Sequence, residues 1–496
     1  MRGTILLDME KKIEKKTTET SPEETAAAPC QPLRLNKKGT MPEGKLLFTM
    51  AVPLALSMLT QALYNIVDSI FVSFVDESAL TAVTLSYPIF MLMIAVAVGT
   101  GVGINSLISR RLGAKRHAEA ELAASNGFYV MLLSSLLFVL FGLFGAKPFI
   151  NAYTSTPETA AYGVSYLSII CTFSVGLFIQ VYCERIMQSQ GKNVYAMLMQ
   201  LVGAVVNIVF DPILIFGLLG FPKLGVAGAA IATVGGQITS MIFSLLVVFG
   251  KKNEVRPHLI KFRPDWQSIR GIYEVGFPTI LLQALGTVMT LCLNAILIAF
   301  SETAVAVFGA YFKVQSIAYM PLFGTTNASM SIIAYNYGAC SKKRVMRTWK
   351  LTLFAGLVLM FVMSALFLLL PDQILSMFNA SPDMLRIGRA AMTIIPLGLP
   401  ISVVSVCCAM LFQAIGKGAY SLYISLARQL VLIIPAAWLL ARITQDVTAV
   451  WWAFPGTEAL SLLISIPLFW YVYRTRIKTL SPAAACECIP EVEVQL

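Results

Sequence analysis

The feature that most constrains this chain is a succession of apolar stretches, each about 20 to 28 residues long and therefore able to cross a bilayer core as an α-helix. Charged residues make up only 13% of the 496 residues, while hydrophobic residues make up 57%. A soluble protein of this size would need more charge to cover its surface. The sequence therefore predicts an all-α integral membrane protein.

Twelve transmembrane helices are predicted, in two six-helix lobes, 46–250 and 271–473, joined by a cytoplasmic linker at 251–270. Residues 1–45 are predicted to form a disordered cytoplasmic tail, because they are polar and lack apolar clusters, and residues 474–496 a second cytoplasmic tail. The predicted spans are 46–74, 81–109, 122–146, 161–186, 194–219, 225–250, 271–300, 304–334, 349–370, 386–414, 420–442 and 447–473.

The distribution of lysine and arginine predicts the orientation. Most of the 37 basic residues lie in the tails and in the loops after even-numbered spans, whereas the opposite loops hold Lys147, Lys223 and Arg442. Cytoplasmic loops carry the excess of basic residues in membrane proteins, so both termini are expected on the cytoplasmic side of the cell (inner) membrane. The net charge of +11 is explained by this topology. The expected partner is the lipid bilayer, with no nucleic acid.

The chain also contains an internal repeat, because it matches itself without a gap when Pro53 is placed on Pro278. Each half has an even number of spans, so the halves are expected to be parallel repeats related by a pseudo-two-fold axis along the membrane normal. Such repeats place a substrate cavity between them and permit alternating access. Other pairs at this offset are Gly99 with Gly324, Gly113 with Gly338, Gln188 with Gln413 and Gly191 with Gly416.

Two acidic residues, Asp68 and Asp211, lie inside predicted spans of the first lobe. Ionisable groups within a membrane are costly and usually functional. Both lie about 9 to 12 Å before the outer ends of their helices, so the two carboxylates can share one depth. Their repeat partners are Leu293 and Ala436. The second lobe thus does without these acids, which favours a functional role over packing, although pairing for packing stays an alternative.

Polar residues accompany these acids on the same helix faces. Gln61, Tyr64 and Asn65 precede Asp68 at helical spacing and are expected to line a substrate cavity. Asn207 precedes Asp211 by one turn, and Thr233 lies in the next helix. Two carboxylates in a low-dielectric site can take up H⁺, or bind Na⁺ with help from amide and hydroxyl oxygens. The sequence therefore predicts an ion-coupling site at Asp68, Asn207, Asp211 and Thr233.

Other charged residues within the spans are less informative. Lys313 is expected either to line the cavity or to reach a membrane surface or Glu302. Glu184 and Arg185 are interpreted as a local structural pair, and Arg428 is assigned no role.

Enzyme signatures are absent from the sequence, which has no phosphate-binding loop, nucleophile elbow or zincin motif. We therefore expect no enzyme, no cofactor and no metal centre, with energy taken from an ion gradient. A C-x-C pair in the C-terminal tail, Cys486 and Cys488, leaves a weak metal site open.

Several segments resemble the multidrug and toxic compound extrusion (MATE) family in order and spacing, over residues 46–473. They are Pro53, Gln61–Val72, Arg111–Ala114, Gln188–Lys192, Asn207–Pro212 and Gly225–Thr233. The resemblance implies a V-shaped monomeric exporter that exchanges a small cationic or amphipathic drug for H⁺ or Na⁺. It places a polar pocket at Gln61, Tyr64, Asp68, Asn207, Asp211 and, less directly, Thr233, with Pro53 as the hinge of the first helix.

The chain departs from a related branch of the family that has acids in the seventh and tenth helices, since Asn294 and Cys407-Cys408 occur there. A second-lobe ion site is therefore not expected. The nearest alternative function is a lipid-linked oligosaccharide flippase of the wider superfamily, for which a more basic cavity would be expected. A membrane enzyme would need clustered catalysts at a membrane face, and a scaffold would tolerate loss of its intramembrane acids.

Overall fold

The computed structural model describes residues 36–73, 77–154, 156–250, 253–258, 264–378 and 381–480, while the side chains of residues 62–70, 72–73, 77 and 80 lie outside that description. Its α-helices are α1 (Lys37–Thr40), α2 (Glu43–Ser73), α3 (Glu77–Gly113), α4 (His117–Leu140), α5 (Ala146–Tyr153), α6 (Pro157–Thr172), α7 (Val175–Ser189), α8 (Asn193–Phe216), α9 (Val226–Val248), α10 (Trp266–Leu297), α11 (Glu302–Gly338), α12 (Lys342–Leu369), α13 (Pro371–Ser376), α14 (Pro382–Ile394), α15 (Leu399–Ala414), α16 (Gly418–Leu426), α17 (Ile433–Thr444), α18 (Val447–Trp451) and α19 (Ala453–Val472).

Short segments of other helix types join some of these α-helices into longer spans. The segments Phe141–Gly145, Ala427–Leu432 and Tyr473–Ile477 are π-helical, and Leu218–Gly220 and Ile395–Gly398 are 3₁₀-helical. Ten spans among the described residues are long and apolar enough to cross a membrane, and α6 with α7, which meet at 44°, form an eleventh. Helix α11 occupies the remaining predicted span and is 37 residues long. The prediction of twelve transmembrane helices is confirmed.

Two hydrophobic cores underlie the two lobes. In the first lobe (α2–α9), the core is formed around fully buried Ile104, Phe178 and Met199. In the second lobe (α10–α19), Phe412 and Trp451 lie at the centre of a separate core. Each lobe therefore packs around its own interior, as the sequence repeat predicts.

The two lobes meet through glycines at one end of the molecule. Gly113 at the end of α3 packs directly on the backbone of Tyr335, and its repeat partner Gly338 packs on the backbone of Arg110. Arg110 and Tyr335 are themselves repeat partners. Such reciprocal contacts are what a two-fold axis between the lobes produces. We call this the basic end, because Lys115 and Arg116 follow α3 there and α12, which follows α11, begins with Lys342, Lys343 and Arg344.

A second reciprocal pair of contacts lies closer to the centre of the membrane. A Cβ added to Gly99 in α3 would come within 2.8 Å of the Ile280 backbone nitrogen in α10. A Cβ added to Gly324 in α11 would come within 2.6 Å of the Ala55 nitrogen in α2. Both pairs again follow the repeat. Helices α2 and α3 of the first lobe thus pack tightly on α11 and α10 of the second.

The ends of the predicted regions differ from the structure in two places. The predicted disordered tail included Lys37–Thr40 and the start of α2, which are helical, and residues 1–35 lie outside the described residues. The predicted linker extended to residue 270, but α10 already begins at Trp266, where the Asp265 carboxylate accepts hydrogen bonds from the first backbone N–H groups. Cys486 and Cys488 also lie outside the described residues.

Candidate substrate cavity and coupling site

A cavity of about 430 Å³ lies between the lobes and receives side chains from both of them. Helices α2, α3, α7, α8 and α9 line it from the first lobe, and α10, α11, α15, α16 and the π-helical segment Ala427–Leu432 line it from the second. Its wall is mixed, with apolar patches interrupted by amide and hydroxyl side chains. The polar residues are Ser57, Gln61, Gln180, Gln188, Gln200, Asn207, Thr233, Gln237, Thr279, Gln283, Thr326, Asn327, Ser405, Gln413, Ser425 and Gln429.

Gln61, predicted to line a cavity, does lie in its wall and is held by the neighbouring helix. The Gln200 side chain of α8 donates from Nε2 to Gln61 Oε1 at 2.9 Å. Ser57, one turn earlier on α2, donates its hydroxyl to Gln200 Oε1. These bonds tie α2 to α8 on the cavity side of the first lobe.

The structure brings Asn207, Asp211 and Thr233 together beside this cavity. Asn207 donates from Nδ2 to Asp211 Oδ1 at 3.2 Å and lies 3.4 Å from Thr233 Oγ1. Asp211 is completely buried, and Asn207 and Thr233 are 3% and 7% exposed. The carbonyl oxygen of the Asn207 side chain has no hydrogen-bond partner among the described residues. A buried carboxylate with adjacent amide and hydroxyl oxygens can hold a proton or a small hard cation.

Close packing of α8 on α9 makes this cluster possible. A Cβ added to Gly236 would lie 2.6 Å from the Gly203 carbonyl oxygen and 3.2 Å from the Asn207 Cβ. Further along the same two helices, a Cβ added to Gly228 would lie 2.5 Å from the Leu214 carbonyl oxygen. Small residues at such an interface let two backbones approach. Thr233 therefore reaches the polar face of α8.

Of the other predicted site residues in α2, the structure describes the side chain of Pro53 but not those of Tyr64, Asn65 and Asp68. Tyr64, Asn65 and Asp68 belong to α2, but their side chains lie outside the described set, so a shared site of Asp68 with Asp211 stays a prediction. Pro53 is buried within α2.

The charged side chains that line the cavity among the described residues differ from those expected. Lys313 is exposed on α11 and does not line the cavity, so that expectation is corrected. Instead Glu184 and Arg185 of α7 and Arg428 of the second lobe reach the wall. Glu184 accepts a hydrogen bond from Gln180 at 3.1 Å. Glu184 and Arg185 are therefore part of the cavity wall, whereas the sequence was interpreted as giving a local structural pair.

Sequence reasoning assigned no role to Arg428 and missed its partner, Glu458 of α19. Arg428 Nη1 lies 3.2 Å from Glu458 Oε1, and the two side chains are 17% and 18% exposed. Tyr319 and Ser402 share a hydrogen bond of 2.8 Å nearby. Glu458 is the repeat partner of Thr233, which was the signal that could have found it. The second lobe thus has an internal ion pair where the first lobe has a hydroxyl group.

No cluster of three or more His, Cys, Asp or Glu side chains with metal-binding geometry occurs in the part of the chain that the structure describes.

Several curated proteins are similar to this chain over most of its length. The multidrug export protein MepA of Staphylococcus haemolyticus (strain JCSC1435) is 26% identical over 436 residues, which are 87% of this chain and 94% of MepA. MepA of Staphylococcus aureus (strain MW2) is 24% identical over 439 residues, or 88% and 95% of the two chains.

Solved structures share the fold. An outward-facing multidrug resistance MATE transporter of the MOP superfamily superposes with a TM-score of 0.82 at 25% identity, covering 88% of this chain and 96% of that one. A MOP superfamily transporter from Pyrococcus furiosus, described as having a binding pocket of reverse polarity, gives a TM-score of 0.83 at 25% identity, covering 90% and 98%.

The family model named MatE matches residues 53–213 and 278–439. The two matched segments begin at Pro53 and Pro278, the residues that the internal repeat pairs, and each spans most of one lobe. Together they cover well over half of the chain. The chain belongs to the MatE (MATE) family of multi-pass membrane transporters, which are not enzymes.

Proposed function

We propose that this chain is a secondary active exporter of small organic compounds, chiefly cationic and amphipathic drugs. It exchanges each compound for H⁺ or Na⁺ by alternating access. The observation that carries the proposal is the buried Asp211, held by Asn207 at the edge of a cavity between two lobes. The similarity to MepA, a protein named for multidrug export, supports it.

Burial of Asp211 is the physical basis for ion coupling. A carboxylate that is completely removed from water is costly unless a proton or a cation neutralises it. Asn207 and Thr233 add oxygen atoms within reach of the carboxylate. Asp68, on the facing helix α2, is proposed as the second acid of this site. Binding an ion here changes the charge of the first lobe at the cavity wall, which couples the ion to the drug.

The cavity suits a drug-sized ligand. A volume of about 430 Å³ lies within the range of small-molecule pockets, and the wall combines apolar patches with isolated polar groups. A lipid-linked oligosaccharide would need a larger and more basic groove. Gln61, Tyr64 and Asn65 are proposed to contact the drug from α2, and Glu184 offers a carboxylate to a cationic group on the floor of the cavity.

The packing of the lobes supports the proposed alternating access. At the basic end Gly113 and Gly338 bring the lobes into backbone contact, so the compound cannot leave there. We place the basic end, both termini and the interlobe linker in the cytoplasm, in the cell membrane, because basic residues are retained on that side. Bending of α2 at Pro53, where the proline removes one helical hydrogen bond, is proposed to accompany ion binding. One chain contains both lobes and acts as a monomer.

The experiment is drug efflux in a host that lacks its own efflux pumps, using ethidium and norfloxacin, with and without Na⁺. We expect Asp211→Asn and Asp68→Asn to abolish efflux while the protein still reaches the membrane. Asp383→Asn is the matched control, because Asp383 is exposed and forms a surface ion pair with Arg386. Undiminished efflux in both cavity variants would remove the coupling site, and no efflux by the wild type would remove the proposed function.

A further inference from the structure

Lys38 is completely buried, although it lies in a segment whose composition predicts a disordered tail. Its neighbour Lys37 is exposed. Lysine is almost never fully buried unless its amino group is satisfied by specific partners. The burial of Lys38 therefore calls for a structural explanation at the basic end, where α1 lies.

The amino group of Lys38 contacts both lobes at once. Its Nζ lies 2.5 Å from the Ser189 carbonyl oxygen, 3.1 Å from the Gln188 carbonyl oxygen and 3.4 Å from Ser109 Oγ, all in the first lobe. It also lies 2.6 Å from Ser331 Oγ in α11 of the second lobe. Ser331 in turn donates to the Gln188 carbonyl at 2.7 Å. The lysine thus sits on the seam between the lobes.

Two of these acceptors are carbonyls at the C-terminal end of α7. The last carbonyl groups of a helix have no partner inside the helix and must find one elsewhere. When buried, each unsatisfied carbonyl costs about 1–3 kcal/mol. The Gln188 carbonyl also accepts from the Gly191 backbone N–H and from Ser331, whereas the Ser189 carbonyl has Lys38 as its closest donor, at 2.5 Å, with the Ser109 hydroxyl at 3.4 Å. Separation of α1 from α7 therefore affects the Ser189 carbonyl most.

The backbone of the same segment is held by the second lobe. Asn336 Nδ2 and Arg344 Nη2 each donate to the Lys38 carbonyl oxygen at 3.1 Å. Arg344 also donates to the Met41 carbonyl at 2.6 Å and lies 3.7 Å from Glu43. Segment 38–43 is therefore anchored to α11 and α12, while the side chain of Lys38 reaches into the first lobe.

We infer that Lys38 is the gate residue at the basic end, which locks the two lobes together and must withdraw from α7 before the cavity can open there. Because its backbone is fixed to the second lobe and its amino group to the first, separation of the lobes breaks the contacts to Gln188 and Ser189. The inference rests on the proposed alternating access, and it adds the residue that controls one of the two openings.

A purely structural role makes a different prediction from a gate. If Lys38 only braced the fold, its loss would loosen the surrounding helices without affecting the opposite end. If it locks a gate, its loss opens the basic end, and the lobes close at the opposite end because alternating access couples the two. The sign of the change at the opposite end separates the two roles.

The experiment is amide hydrogen exchange of the full chain in lipid nanodiscs, comparing wild type, Lys38→Met and Lys37→Met. In Lys38→Met, peptides covering 105–113 and 331–338 are expected to exchange about tenfold faster or more, because the buried hydrogen bonds of the Lys38 amino group are lost there. Peptides covering 86–95 and 282–290, in the opposite half, are expected to exchange more slowly. Lys37→Met is expected to match wild type, because Lys37 is exposed.

Exchange in Lys38→Met that matches wild type, or that rises at both ends, would overturn the inference. Ser331→Ala is a milder second variant in case Lys38→Met does not fold. It should also speed amide exchange at the basic end and slow it in the opposite half. The readout needs no substrate. If the wild type transports no drug but Lys38→Met still shows both changes in exchange, the proposed function is removed and the gate is kept. If the wild type transports drug but Lys38→Met does not show these changes, the gate is removed and the proposed function is kept.

Discussion

Gly113, at the end of α3, packs directly on the backbone of Tyr335, near the end of α11. The reciprocal contact, Gly338 on Arg110, has the same geometry in the other direction. The two contacts form one symmetric seal between the lobes. A residue larger than glycine at either position would force the lobes apart, because the neighbouring atoms are backbone and cannot rotate away.

The seal predicts matching effects for its two glycines. We expect Gly113→Ala and Gly338→Ala each to lower the apparent melting temperature of the purified protein, by the equivalent of about 1–3 kcal/mol of overpacking. Gly309→Ala is the control, since none of the described residues comes within 4 Å of a Cβ at that position in α11. A large loss for one glycine and none for its repeat partner would contradict the symmetric arrangement.

The Arg428–Glu458 ion pair predicts that the stability of the protein depends strongly on both side chains. Removing one partner of a buried ion pair leaves the other charge uncompensated, which costs about 3–5 kcal/mol. We therefore expect Arg428→Met and Glu458→Leu each to reduce thermal stability sharply, and the double variant to recover most of the loss. Melting of the three proteins in detergent is the measurement. Additive losses in the double variant would show that the two side chains act independently.

The gate predicts a pH dependence at the basic end. Burial lowers the pKa of Lys38 from 10.5 to about 7, and the nearby charge of Glu254 opposes that shift. A closed gate then holds fewer protons than an open one between those two values. Raising the pH from 7 toward 10.5 therefore favours closure, and lowering it favours opening until the effect levels off below about 7.

Spin labels on the two lobes would measure this dependence. Ala118→Cys and Lys343→Cys place exposed labels on either side of the basic end, in a background without the native cysteines. We expect the fraction of molecules with a long distance between the two labels, which marks an open basic end, to fall as the pH rises from 7 to 9. In Lys38→Met this fraction should no longer change with pH. Glu43 and Arg344 also face this segment, with Arg344 Nη1 lying 3.7 Å from Glu43 Oε1. A trend that persists in Lys38→Met would assign the titration to another group.

The twelve spans and the repeat were predictable because lipid imposes a simple rule on helix length and composition. The closeness of Asn207 to Asp211 follows from one helical turn. The burial of Lys38 could not be predicted, since its partners Ser109, Ser189 and Ser331 are 71, 151 and 293 residues away in sequence.

The choice between the two predicted positions of Lys313 could not be made for a related reason. Polar and apolar residues are distributed around helix α11 without a one-sided polar face, so the sequence does not show which side faces the cavity and which side faces lipid. The repeat points to Glu458 as a position of interest, but it does not show that Glu458 contacts Arg428, which lies 30 residues earlier in another helix. Only packing brings such groups together.

Gradient-driven transport by the purified protein in liposomes tests the central claim most directly. An imposed H⁺ or Na⁺ gradient should drive norfloxacin transport by the wild type and by Asp383→Asn, whereas Asp211→Asn should lose gradient-driven transport by about tenfold or more, the effect of removing about 1.4 kcal/mol or more of coupling. Full gradient-driven transport by Asp211→Asn would contradict ion coupling at the buried carboxylate.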